Sequence, residues 1–160
     1  MALKDSFTED EWARIRDTPN LVALATAMAG ASGVFGTIGE MFTAAKTVYG
    51  GLQNSDELVK AVAAKEEMDA SREAVKKVAG SEAAQAKDNL RVAALTGAQH
   101  AKNALNAKAP QHEAAYTAWI AEIAQKVAES SKEGGFLGFG GERVSEGERV
   151  FLNDLKAVLL

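Results

Sequence analysis

Apolar residues recur along this chain at helical spacing, and the clearest run lies in its C-terminal half. Tyr116, Ile120, Ile123 and Val127 fall at i, i+4, i+7 and i+11, with Trp119 beside them. One face of a helix therefore gathers the large apolar side chains. Pro110 opens that helix at a position where its missing N–H is harmless, and the helix is expected to reach about Lys132. Before it, a helix from about Glu82 to Asn106 sets Leu90, Ala94, Ala98, Ala101 and Leu105 on one side. Further upstream, a helix beginning near Asp56 aligns Ala61, Ala64, Met68, Val75 and Val78. Gly80-Ser81 reads as a helix stop followed by a new N-cap, with an uninterrupted helix as the alternative. No sustained alternation of β-branched and aromatic residues marks a strand.

Capping signals define both ends of the chain. Thr8 and Glu11 form a capping box, with Phe7 and Trp12 at the hydrophobic-staple positions. They predict a short helix from Glu9 to Arg16. Thr18-Pro19 then reads as N-cap and first residue of a second helix. Ser145 and Glu148 form another capping box, which starts a last helix reaching about Val158 and burying Phe151, Leu155 and Val158. The pattern predicts an all-α protein: a single helical bundle of about six helices, no sheet, and one domain over residues 1–160.

Two segments exceed what bundle packing requires. Leu21 to Gly39 carries no charge, and Gly30, Gly33, Gly36 and Gly39 recur at every third position. Its length approaches a membrane span, but its Ala, Gly, Ser and Thr content favours a core or an oligomer contact. A break is expected near Gly30-Ala31-Ser32-Gly33, then a helix from about Val34 to Tyr49. The second segment is Gly134 to Gly141. Its Phe136, Leu137 and Phe139 form a candidate contact loop, expected to fold inward as a plug on the core. The alternative is an outward surface for a partner, a second copy or a membrane interface.

Composition narrows the chemistry. Alanine, the best helix former, fills 32 of the 160 positions. Net charge is −4, with acids and bases intermixed, which disfavours a nucleic-acid binder. The absence of cysteine removes thiol nucleophiles, disulfides and thiolate metal sites, and it fits a cytoplasmic location. The N-terminus does not read as a signal peptide. His100 and His112 lack the Glu-x-x-His spacing of a di-metal bundle. Glu66, Glu67, Asp69 and Glu73 alternate with Lys65, Arg72, Lys76 and Lys77, as on a solvated helix face. Glu142, Glu146 and Glu148 suit a helix N-terminus. Neither glycine-rich segment supplies the Gly-Lys-Ser/Thr of a phosphate loop. Catalytic residues, metal and cofactor are therefore expected to be none.

Phe7-Thr8-x-x-Glu11-Trp12 with Pro19, taken with Lys132 to Gly141 and Val144-Ser145, resembles a group of small, alanine-rich bacterial helical proteins. No activity is known for that group, so the resemblance implies an all-α bacterial protein and no site residue. The expected function is a non-catalytic helical interaction protein that self-associates as a homo-oligomer with no nucleic-acid partner. A peripheral membrane protein is the alternative.

Overall fold

The computed structural model describes residues 2–30, 44–130 and 144–160, which form seven α-helices and no strand. These are α1 (Glu9–Ala29), α2 (residues 44–49), α3 (Glu57–Ala63), α4 (Lys65–Ala79), α5 (Ala83–Lys108), α6 (Pro110–Ser130) and α7 (Glu146–Leu159). Short 3-10 turns cover Leu3–Ser6 and Gly50–Gln53. The central element is α1, which packs against α4, α5, α6 and α7, most extensively against α5. Its position explains the uncharged segment as far as residue 30. Val22 and Thr26 are fully buried, and Leu21, Ala23, Ala25 and Ala27 nearly so. A helix enclosed on several sides needs apolar or small residues all round. The rest of that segment, residues 31–39, lies outside the described residues.

The expected break before Pro19 does not occur, because α1 runs through the proline. A proline inside a helix has no N–H to give, so the carbonyl four residues earlier loses its partner. Here that carbonyl belongs to Ile15, and the Tyr116 hydroxyl donates to it from α6 at 2.7 Å. Beside it, Thr18 Oγ1 donates back to the Arg14 carbonyl at 2.6 Å. Ile15, Thr18 and Tyr116 are all fully buried. Burial drives the Tyr116 pKa far above its ordinary value, so the phenol keeps its proton and remains a donor. The backbone of α5 lies directly against this turn. A Cβ at Gly97 would come within 2.9 Å of Thr18 Oγ1, so glycine permits the approach.

The helix expected from Asp56 is divided at Ala64, whose backbone is extended. In α3 the buried residues are Leu58, Val59, Val62 and Ala63; in α4 they are Met68, Ser71 and Val75. At helical periodicity the two sets fall on roughly opposite faces. A straight helix would bury only one of them, so the break re-aims the second. Val78 is exposed, although it continues the apolar line. The Gly80 break is real: Gly80 has φ +73° and ends α4. The N-cap of α5 is Glu82, which makes no side-chain cap, rather than Ser81.

Elsewhere the periodic faces are as expected. Leu90, Ala94, Ala98, Ala101 and Leu105 are buried on α5, and Tyr116, Trp119, Ile120, Ile123 and Val127 on α6. Both predicted capping boxes form, Thr8 with Glu11 and Ser145 with Glu148. Phe7 packs against Trp12 with ring centroids 6.0 Å apart. On α7, Phe151 and Leu155 are buried, while Val158 is only partly covered. Gly147 sits so close to the end of α1 that a Cβ there would overlap the Ala29 carbonyl.

The proline turn makes a specific prediction. Tyr116→Phe should destabilise the protein by about 1–3 kcal/mol by leaving the Ile15 carbonyl buried and unpaired. Pro19→Ala restores a backbone donor to that carbonyl. Tyr116→Phe should therefore cost clearly less in a Pro19→Ala background than alone. Urea unfolding of the four proteins in this double-mutant cycle measures the coupling, and strict additivity would refute the assignment.

Candidate functional site

The candidate contact loop, Phe136, Leu137 and Phe139, lies outside the described residues. The histidines are placed. His100 is exposed on α5. His112 Nδ1 lies 2.8 Å from Asp56 Oδ2. Asp56 is the N-cap of α3, with Oδ1 accepting from the Leu58 and Val59 amides at 2.9 and 3.1 Å. His112 and Asp56 thus fasten the start of α6 to the start of α3. No cluster of metal-ligating side chains occurs among the described residues.

The acidic groups divide differently from a uniform solvated face. Glu66 and Glu73 are exposed, but Glu67 is a structural joint. It accepts the Trp12 indole N–H at 3.0 Å and the Lys4 ammonium at 2.9 Å. Burial pushes its pKa up, but hydrogen bonds from Lys4 and Trp12 and the charges of Lys4 and Arg16 outweigh this, so it lies below its ordinary value. Of the second group, Glu142 lies outside the described residues, Glu146 is exposed and Glu148 is completely buried. Glu148 Oε2 accepts the Ser145 amide at 2.8 Å, while Oε1 has no hydrogen-bond partner.

An apolar cleft of about 260 Å³, open along one side, lies between α1, α2 and α4. Alanines create it. Ala23 and Ala27, one turn apart on α1, and Ala44 and Ala45 on α2 all border the space. Their methyl groups are too short to fill the gap between the helices. Val48, Met68 and Val75 supply more apolar wall. Asn20 also borders the cleft, with its amide donating to Ser71 Oγ at 2.9 Å and lying 3.7 Å from Met68 Sδ. Close packing is the rule in protein interiors, so a cleft of this size is a distinct feature of the fold.

Its rim is polar and organised. Arg72 donates to the Tyr49 hydroxyl at 2.6 Å and to Asp69 at 3.2 Å. The Arg72 guanidinium also lies over the Tyr49 ring, 5.3 Å from its centroid, a cation–π arrangement. Asp69 is shared with Lys65, 2.5 Å away. Hydrogen bonding to Lys65, opposed by desolvation, holds the Asp69 carboxyl below its usual range with help from the charges of Lys65 and Arg72. One turn beyond Arg72, Lys76 borders the same cleft and pairs with Glu73 at 2.8 Å.

A second cavity, about 550 Å³, is bordered by Lys46, Trp119, Glu122, Lys126 and Glu129, among others. Lys126 pairs with Glu122 at 2.6 Å. The buried Trp119 indole N–H has no hydrogen-bond partner. The opposed charges on this wall select no single ligand chemistry.

Compared with protein-family models, curated proteins and solved structures, the chain finds no match in any of the three. The site therefore rests on its own geometry. The sequence reading missed the cleft, since its walls come from three separate helices. The available signal was the run of alanines at Ala23 and Ala27 next to an acidic–basic helix that also carries Met68 and Val75.

Glu67 anchors α4, one wall of the cleft, to the N-terminal segment. Because its folded pKa is depressed, its contribution is present above the ordinary glutamate value of about 4.3 and fades as pH falls through the folded value. Glu67→Gln should thus lower the urea midpoint at neutral pH, and the gap to the parent protein should narrow below about pH 4. A pH-independent gap would refute an electrostatic role for Glu67.

Proposed function

We propose that this chain is a non-catalytic binding protein whose recognition site is the cleft between α1, α2 and α4. The observation that carries the reading is an apolar cavity, open on one side, with organised polar groups at its rim. Ligand sites commonly combine apolar walls with a few placed polar groups. An apolar cavity of about 150 Å³ already accepts benzene, so 260 Å³ is room for a larger apolar group.

Self-association draws less support from the packing. Of the small-residue faces that motivated it, Ala94, Ala98 and Ala101 on α5 and Ala23, Ala25 and Ala27 on α1 are buried within the chain, and the glycine repeat beyond residue 30 lies outside the described residues. The exposed large apolar residues among those described are Leu52, Val78, Val92, Val150 and Leu160, and such residues exposed singly are ordinary on protein surfaces. Among the described residues, no helix is long and apolar enough to cross a membrane.

A neutral fluorescent probe, N-phenyl-1-naphthylamine, tests the reading. It should bind saturably to one site, with enhanced emission. Ala45 is exposed at the cleft edge, so Ala45→Trp should block the cleft without disturbing the core and weaken binding by about tenfold or more. No saturable binding, or equal binding by Ala45→Trp, would overturn the proposal.

A further inference from the structure

The rim of the cleft narrows the class of ligand. Arg72 reaches the Tyr49 hydroxyl as a donor, so that hydroxyl acts as acceptor and keeps its own proton to give. An entering acceptor at this edge meets two kinds of donor, the guanidinium and the phenol. The Tyr49 ring beneath Arg72 restrains the guanidinium, so less freedom is lost when a ligand binds. Among the charged side chains in the rim network, Lys65, Arg72 and Lys76 face Asp69 and Glu73, which leaves an excess of one positive charge. The existing ion pairs are solvent-exposed: the Arg72 and Asp69 side chains are both 46% accessible. Such pairs contribute little, so a planar carboxylate can compete for the guanidinium. Behind this edge the wall is hydrocarbon.

We propose that the cleft binds a single-chain amphiphile with a carboxylate head, the head held by Arg72 and Tyr49 and the chain lying against the alanine-rich wall of α1 and α2. This assignment rests on the cleft being a binding site, and adds the chemistry of its occupant. The cation at the rim selects the sign of the head group. The modest volume, about 260 Å³, selects one short chain over a two-chain lipid. Lys76, one turn along α4, supplies a further positive charge outside the contact and contributes to attraction rather than to geometry.

The experiment displaces bound N-phenyl-1-naphthylamine with octanoate, octan-1-ol and octyltrimethylammonium, each kept below its aggregation concentration. Octanoate should displace the probe at about tenfold lower concentration than octanol, and the ammonium should be weakest. Arg72→Gln should bring octanoate to within about threefold of octanol, read as the ratio of the two in the same variant so that any change in the cleft walls affects both. Saturable probe binding by the variant, with a parent-like urea unfolding curve, verifies that it is folded. Tyr49→Phe should give an intermediate loss in the octanoate-to-octanol ratio. Equal displacement by octanoate and octanol in the parent protein would overturn the head-group assignment and leave the cleft as an apolar site. A preference for the ammonium would also overturn it, placing recognition on Asp69 and Glu73. Preserved octanoate selectivity in Arg72→Gln would refute the role of Arg72. If the probe itself fails to bind, the underlying reading falls as well.

Discussion

One carbonyl oxygen sets the terms for the rest of this bundle. Pro19 deprives the Ile15 carbonyl of its helical donor, at a point in α1 where Ile15, Thr18 and Pro19 are all buried. Left alone, that group would oppose burial of the turn. The Tyr116 hydroxyl resolves the conflict, and in doing so fixes how deep and at what height α6 meets α1. The glycine at position 97 brings α5 against the same turn. Three helices thus converge where the central one is weakest. The proline does not break α1, because its neighbours complete the hydrogen bonding that the proline removes.

Legibility in the sequence followed the range of the interaction. The faces of α5 and α6, the staple of Phe7 and Trp12, and both capping boxes depend on residues a few positions apart, and all were readable as local patterns. Pro19 was misread as a helix start because the compensating donor, Tyr116, lies 101 residues beyond the Ile15 carbonyl it serves. The division at Ala64 was missed for a related reason. Alanine at 61 and 64 tolerates either face, so the switch between two buried faces left little trace in an apolar count. Glu67 looked like one acid among several, and only the return of Trp12 and Lys4 to it reveals a joint. The cleft was the least legible feature, since an alanine that fills a close contact and one that leaves a gap are identical in sequence. The glycine-flanked segment with Phe136, Leu137 and Phe139 lies outside the described residues.

The same residue type therefore does two opposite jobs. On α5, alanines at 94, 98 and 101 let helices approach until no space remains. On α1 and α2, alanines at 23, 27, 44 and 45 border a space that the facing side chains do not fill. The difference lies in the partner surface. Opposite α5 stands the central helix at close range, whereas the described part of α2 leads directly into the Gly50–Gln53 turn. The Arg72 and Tyr49 pair spans from α4 to α2 at the cleft edge, so the polar rim also braces the walls. This link makes the site's shape and its charge one arrangement.

The proline turn also orders events in time. The segment that completes α1 lies about a hundred residues downstream, in α6, and Gly147 of α7 meets the last carbonyl of α1 later still. During synthesis from the N-terminus, α1 cannot acquire these partners until most of the chain has been made. Contacts of such long sequence separation form slowly because the intervening loop must first close. The Ile15 carbonyl thus has no donor until α6 has been made, and the apolar stretch from Leu21 to Ala27 must wait for its cover from later helices while the chain grows.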